Sequence, residues 1–211
     1  MKKIFLFSFL FLLALASMAQ KKAVTETGEE VILYENGTWK YVNDSDSAKG
    51  KTEIPVNPKA FTKSASATFL LKSTKTNIGI WLDSKKWSFK KSGEDEASEY
   101  GLQLKGKDLY AMLIAEKIEV PLESLKQIAL DNAKEAAPDI KLTKEEYRTV
   151  NGKKMLHLQM IGTLSGIKFI YSGYYYSSTK GTVQFLTYTA QNLYEDYEED
   201  AYQLLNGMVT L

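Results

Sequence analysis

Tyrosines are the side chains of this sequence whose spacing best suits joint chemistry. Tyr171, Tyr174, Tyr175, Tyr176 and Tyr188 crowd one stretch near the C-terminal end. A tyrosine joins an apolar ring to a polar tip, which fits a protein interface or a platform on which a sugar stacks. Strand alternation puts Tyr171 and Tyr175 on one face with Phe169, and that face reads as core. Tyr174 and Tyr176 fall on the other face with Ile170 and Ser172. Tyr174, Tyr176 and Tyr188 are therefore the candidate binding residues here, and Trp39 and Tyr41 play the same part near the N-terminus. The same pattern equally suits a sheet face covered by a helix.

Catalytic chemistry finds less to work with. His157 is the only histidine. Leu156, Leu158 and Met160 point one way along its strand, and Met155, His157, Gln159 and Ile161 the other. His157 thus shares a face with a polar neighbour and is expected to be partly exposed, and no nearby residues complete a triad or a metal site. Glu145-Glu146 and Glu94-Asp95-Glu96 read as solvated loops or strand starts rather than a glycosidase pair. The run Glu195-Asp196 with Glu198-Glu199-Asp200 lacks the spacing of a calcium loop, and acidic groups early in a helix suit its dipole. Trp81 and Trp87 read as core anchors. There is no Gly-rich phosphate loop, Gly-x-Ser-x-Gly elbow or His-Glu-x-x-His motif. With no cysteine, thiolate nucleophiles, disulfides and iron–sulfur or Cys–zinc sites are excluded. The sequence therefore predicts no catalytic residue, no metal and no cofactor.

Residues 1–19 set the expected location. Lys2 and Lys3 precede an apolar run from Ile4 to Ala16, and Ser17 and Ala19 supply small residues before a cut at Gln20. That is the layout of a signal peptide. The run is shorter than the roughly 20 apolar residues a membrane span needs. No later segment is apolar enough to cross, so the exported chain is expected in the periplasm or outside the cell. The chain holds 27 basic and 26 acidic side chains, with no large basic cluster, which argues against a nucleic-acid partner.

The elements that must position these residues follow from pattern. Glu30–Tyr34 and Thr38–Val42 flank Glu35-Asn36-Gly37, a hairpin signal of the Asn-Gly type I′ kind, giving an N-terminal element over residues 20–42. Residues 43–64 read as a linker rich in Ser, Asp, Gly and Pro. Residues 65–211 read as an α+β domain. Strands are expected at 67–73, 78–82, 87–90, 100–104 and 110–118, then a helix over 121–137 bracketed by Pro121 and Pro138. A meander follows at 145–150, 155–161, 167–176 and 182–190, with short turns that require antiparallel pairing. A last helix over 193–206 is expected to start at an Asn192/Glu195 capping box and to stop at Gly207.

This order resembles the Mog1/PsbP-like fold, an antiparallel β-sheet flanked by helices, here preceded by a separate β-hairpin. The resemblance rests on Ile80-Trp81-Leu82 with Trp87, on Val120 to Leu125, and on Val150-Asn151-Gly152 before a long strand. It continues through Tyr174-Tyr175-Tyr176 and Gln184 to Tyr188 before the final helix. The N-terminal hairpin is similar to an element of exported proteins of Bacteroidota-type bacteria. Members of the fold are mostly accessory or binding proteins, so the resemblance implies a non-catalytic envelope protein engaging a protein partner. A small-molecule or glycan binder stays open as the alternative, using the tyrosine face or a pocket beneath a helix. A hydrolase with a carboxylate site would need two acids facing each other in a cleft.

Overall fold

The computed structural model describes residues 21–25, 30–34, 38–42, 53–93 and 96–211, in two compact units divided between Glu53 and Ile54. The leader and residues 43–52 of the expected linker lie outside the described residues.

In the first unit, β1 (Lys21–Val24), β2 (Glu30–Leu33) and β3 (Trp39–Tyr41) form an antiparallel sheet in that order. The expected hairpin is β2–β3, and β1 adds a strand the sequence did not suggest. Leu33 lies opposite Trp39, and the Tyr34 N–H donates to the Thr38 carbonyl at 2.8 Å. The expected Asn36-Gly37 turn between them lies outside the described residues.

The second unit begins with β4 (Val56–Phe61), inside the stretch read as linker. Pro58 and the exposed residues around it hide the strand in the sequence. β4 lies at the sheet edge, where a proline is tolerated. Then come β5 (Phe69–Lys72), β6 (Ile78–Leu82), β7 (Trp87–Lys91), β8 (Tyr100–Leu104) and β9 (Tyr110–Glu116). Helix α1 (Leu122–Ala136) is followed by β10 (Lys141–Val150), β11 (Lys153–Leu164), β12 (Ile167–Ser178) and β13 (Gly181–Ala190). A 3₁₀ turn at Gln191–Leu193 leads into α2 (Tyr194–Leu205), and β14 (Met208–Thr210) ends the chain.

Eight strands make the main sheet, in the order β4-β10-β11-β12-β13-β9-β8-β7. All its pairs are antiparallel except β4 with β10. The expected turn at Asn151-Gly152 is present, with φ of 47° and 78°. Ser165 and Gly166 take the same left-handed conformation between β11 and β12. β14, β6 and β5 form a second, three-stranded sheet that the sequence reading did not separate from the first.

The two faces of the main sheet are covered unequally. On one face, α2 and the small sheet bury Ile80, Leu82 and Met208 against Leu113, Met155, Tyr174 and Phe185. On the other, α1 alone buries Leu125 and Ala129 against Tyr147, Leu156, Leu158 and Tyr175. Met112, Ile114, Leu186 and Tyr188 alternate with core residues on β9 and β13, and they stay half-buried because one helix cannot span the sheet.

The last helix is held differently from expectation. Leu193, not Asn192, is the N-cap, with no side-chain cap bond. The 3₁₀ turn supplies the bond through the backbone, Tyr194 N–H to the Gln191 carbonyl. Gly207 is absent from the glycines with positive φ, so it is not a left-handed helix stop. It is required because its backbone lies against the Trp81 carbonyl, where any Cβ would collide. The Trp81 N–H donates to the Gly207 carbonyl at 2.8 Å, which joins β14 to β6.

Candidate functional site

The candidate binding residues do not form one surface. Tyr174 is fully buried, not exposed as expected, because α2 lies over its face. Tyr176 is half-buried against the same core. Tyr188 pairs with Tyr171 across β12–β13 and so lies on the opposite face from Tyr174. Trp39 and Tyr41 belong to the first unit, in edge-to-face contact at 5.0 Å, with Trp39 52% exposed.

Beneath α2, the buried polar groups are joined in one network. Arg148 donates through Nε and Nη2 to Glu146 Oε1, both at 2.6 Å, and through Nη1 to the Tyr174 hydroxyl at 3.1 Å. The Tyr174 hydroxyl donates onward to Asn206 Oδ1 at 2.7 Å. The Arg148 guanidinium also lies over the rings of Phe61 and Tyr202, at 4.7 and 4.8 Å. Glu146 Oε2 accepts from Asn57 Nδ2 at 3.0 Å, which ties β4 into the network. Burial alone would raise the Glu146 pKa, but the hydrogen bonds from Arg148 and Asn57 outweigh it and hold the carboxyl below its usual range. Glu146 is therefore part of a partly buried cluster inside β10, not a solvated strand start.

His157 belongs to the same network and is fully buried, which corrects the partly exposed position expected for it. Its Nε2 is 3.0 Å from Ser172 Oγ, and its Nδ1 stands 3.6 Å from Glu146 Oε1, beyond hydrogen-bond range. Burial and the Arg148 charge lower its pKa to about 3. A histidine held neutral so far below its ordinary value is a poor general base. The sequence hid its burial because Gln159, on the same face, is only half-buried.

A groove of about 410 Å³ runs beside this network, lined by Lys59, Phe61, Arg148, Glu198, Tyr202 and Asn206 among others. Its buried cation is already satisfied by Glu146 and Tyr174, so the groove offers a ligand no unpaired buried group.

The other face holds a different site. Between α1 and the sheet lies a cavity of about 230 Å³. Ala129, Ala133 and Ala136 of α1 form one wall with the exposed Asn132 at its rim, and the small alanine side chains leave the space open. Met112 and Ile114 of β9, Met160 of β11, Tyr171 and Tyr175 of β12 and Leu186 of β13 form the opposite wall. Gln184 and Tyr175 are cross-strand partners there. Tyr175 is 1% exposed and Gln184 8%, and neither side chain has a hydrogen-bond partner among the described residues. Burial pushes the Tyr175 hydroxyl well above the usual phenol range, so it is a neutral donor and acceptor. Beside the cavity, Tyr110, Tyr188 and Tyr171 stack in a row, with centroids 5.6 and 5.9 Å apart. The sequence reading assigned Tyr171 and Tyr175 to core and passed over Gln184. A glutamine alternating with Val183 and Phe185 was the available signal.

Among the described residues, no group of three or more His, Asp or Glu side chains is placed to hold a metal ion, and no helix is long and apolar enough to cross a membrane. Among the described residues, the carboxyls with a shifted pKa are Asp139 and Glu146, and both move down, opposite to what a general acid needs.

No family model matches the sequence, and no curated protein matches it. Solved structures do resemble it. The cyanobacterial PsbP protein CyanoP from Synechocystis aligns over 70% of this chain and 95% of its own, at 10% identity and a TM-score of 0.52. LpqN of Mycobacterium tuberculosis, described as involved in cell envelope biogenesis, aligns over 68% of this chain and 90% of its own, at 11% identity and a TM-score of 0.46. A Pseudomonas aeruginosa protein of unknown function aligns over 68% of this chain and 96% of its own, at 12% identity and a TM-score of 0.44. The likeness to CyanoP shows the expected PsbP-like fold.

Proposed function

We propose that this PsbP-like chain is an exported, non-catalytic binding protein of the bacterial envelope, and that its main unit holds a small molecule in the cavity beneath α1. The observation that carries this reading is the pair Tyr175 and Gln184. Both are almost fully buried, both line an apolar cavity, and neither is hydrogen-bonded. Polar groups at this depth are nearly always paired in folded proteins, and the polar tips of these two reach the cavity, where a partner would sit. An apolar pocket with a few convergent polar groups is the usual form of a small-molecule site. Export rests on the leader at residues 1–19. The non-catalytic part rests on the neutral, enclosed His157 and on carboxyls that are held ionised.

The test is native mass spectrometry on the protein purified gently from its own host, beside an Ala133→Phe variant that fills the cavity. The wild type is expected to carry a non-covalent small-molecule adduct, and the variant to lose it while keeping its melting temperature. An adduct in neither protein, or equally in both, would remove the reading.

A protein partner remains a second reading, carried by the first unit. Val24, Leu33, Trp39 and Val42 are exposed on a three-stranded sheet too small to hide them. Crosslinking in the native host, compared between wild type and Trp39→Ser, tests it. A single stoichiometric partner lost in the variant supports this reading, and an unchanged pattern counts against it.

A further inference from the structure

We infer that the cavity beneath α1 selects a compact, uncharged molecule with a flat apolar body and one amide, carbonyl or hydroxyl group, and that Gln184 and Tyr175 read that group. This rests on the reading that the cavity is a ligand site, and it assigns the chemistry of the occupant.

Three observations narrow the class. The first is charge. No lining residue is acidic or basic. A charged ligand entering would leave its hydration shell with no counter-ion in return, and that cost disfavours it against a neutral one. The second is polarity. Gln184 offers both a carbonyl and an amide N–H, and Tyr175 a hydroxyl that can donate or accept. Neither has a protein partner among the described residues, and as a cross-strand pair they present their polar tips to the same cavity. A purely apolar ligand would leave them unsatisfied, so the pair discriminates in favour of a hydrogen-bonding one. The third is shape. Met112 and Met160 line the cavity with the rings of Tyr171 and Tyr175. Thioethers and aromatic rings make favourable contacts with a planar ring. At interior packing density, 230 Å³ admits about ten non-hydrogen atoms.

Benzamide, benzoate and ethylbenzene share a ring and a similar size but differ at one end, which makes them suitable probes. Each is titrated into the full exported chain and followed by ¹⁵N NMR. Benzamide is expected to shift the backbone signals of residues 112–114, 133–136 and 184–186, and to bind about tenfold more tightly than benzoate. Gln184→Leu is expected to bring benzamide down to the level of ethylbenzene while leaving ethylbenzene binding intact. That retained binding shows that the variant is folded and its cavity open. Benzoate binding as well as benzamide, or Gln184→Leu leaving benzamide unchanged, would overturn the inference. Failure of all three probes to shift those residues would overturn it as well. The cavity reading itself stands or falls separately, on the native adduct and its loss in Ala133→Phe.

Discussion

Arg148 Nη1 donates to the Tyr174 hydroxyl at 3.1 Å, and that hydroxyl in turn donates a hydrogen bond to Asn206 Oδ1 at 2.7 Å, so Tyr174 links β10 to the end of α2 instead of facing solvent. Tyr174→Phe removes both bonds and strands Asn206 Oδ1 and one guanidinium N–H. The expected loss is about 2 kcal/mol in urea unfolding. Arg148→Ala should cost more, about 3 kcal/mol, because it also takes from Glu146 the nearer of its two cations, leaving only Lys144 at 3.5 Å, and strips packing from Phe61 and Tyr202. Neither substitution should change binding in the cavity on the opposite face. A Tyr174→Phe protein as stable as wild type would show that the link carries nothing.

The same network predicts acid sensitivity. Folded His157 stays neutral down to about pH 3, whereas an unfolded histidine takes up its proton near pH 6.5. Between those values the unfolded chain binds more protons, so stability falls as pH drops through that window, by an amount on the order of a few kcal/mol. Glu146 acts in the same direction at the acid end. Its folded pKa is depressed, so its contribution is lost as the carboxyl is finally protonated. Urea midpoints measured across the window should fall with acid for wild type and fall less for His157→Gln. Parallel slopes for the two proteins would contradict the assignment.

Removing the unpaired amide should stabilise the empty protein. Gln184→Leu keeps volume and replaces an amide that has no partner among the described residues by an apolar group on an apolar wall, so its unfolding free energy is expected to rise by about 0.5 kcal/mol. A fall of similar size would mean that the amide is satisfied within the fold. Calorimetry on the ligand-stripped chain decides between them.

Asn151 serves two purposes at once. Its φ of 47° fits the left-handed turn, and its Nδ2 donates to the carbonyls of Asn206 and Met208, both at 2.8 Å. Asn151→Asp keeps the turn but points a carboxylate at two carbonyl oxygens. It is expected to cost about 2 kcal/mol or more, and to cost more than Asn151→Gly, which removes the bonds without adding repulsion. Thermal unfolding of the two variants should rank them in that order, and the reverse order would show that the conformation matters more than the bonds.

Much of the fold was legible because local rules governed it. Asn151-Gly152 requires a turn, the alternation through β11, β12 and β13 fixes faces, and Pro121 and Pro138 bracket α1. What the sequence concealed depends on partners distant in the chain. β4 is short, exposed and proline-bearing, and only its pairing with β10 makes it a strand. β14 is three residues that exist as a strand because β6 receives them. The candidate site was harder still. Alternation sorts Tyr174 from Tyr175 correctly, but it cannot tell which face is fully covered. α2 with the small sheet buries Tyr174, and the narrower cover of α1 leaves space beside Tyr175. The surface and the cavity thus exchanged places. A buried glutamine without a partner is likewise invisible until its neighbours are known.

The most direct test of the cavity as a ligand site is methyl NMR of methionine-labelled protein, as isolated from its own host and again after solvent extraction and refolding. Met112 and Met160 line the cavity, while Met155 and Met208 are fully buried in the opposite core and serve as internal references. The Met112 and Met160 methyl signals should move on extraction, and those of Met155 and Met208 should stay in place. Four signals unchanged by extraction would contradict the account, because the cavity would then have been empty from the start.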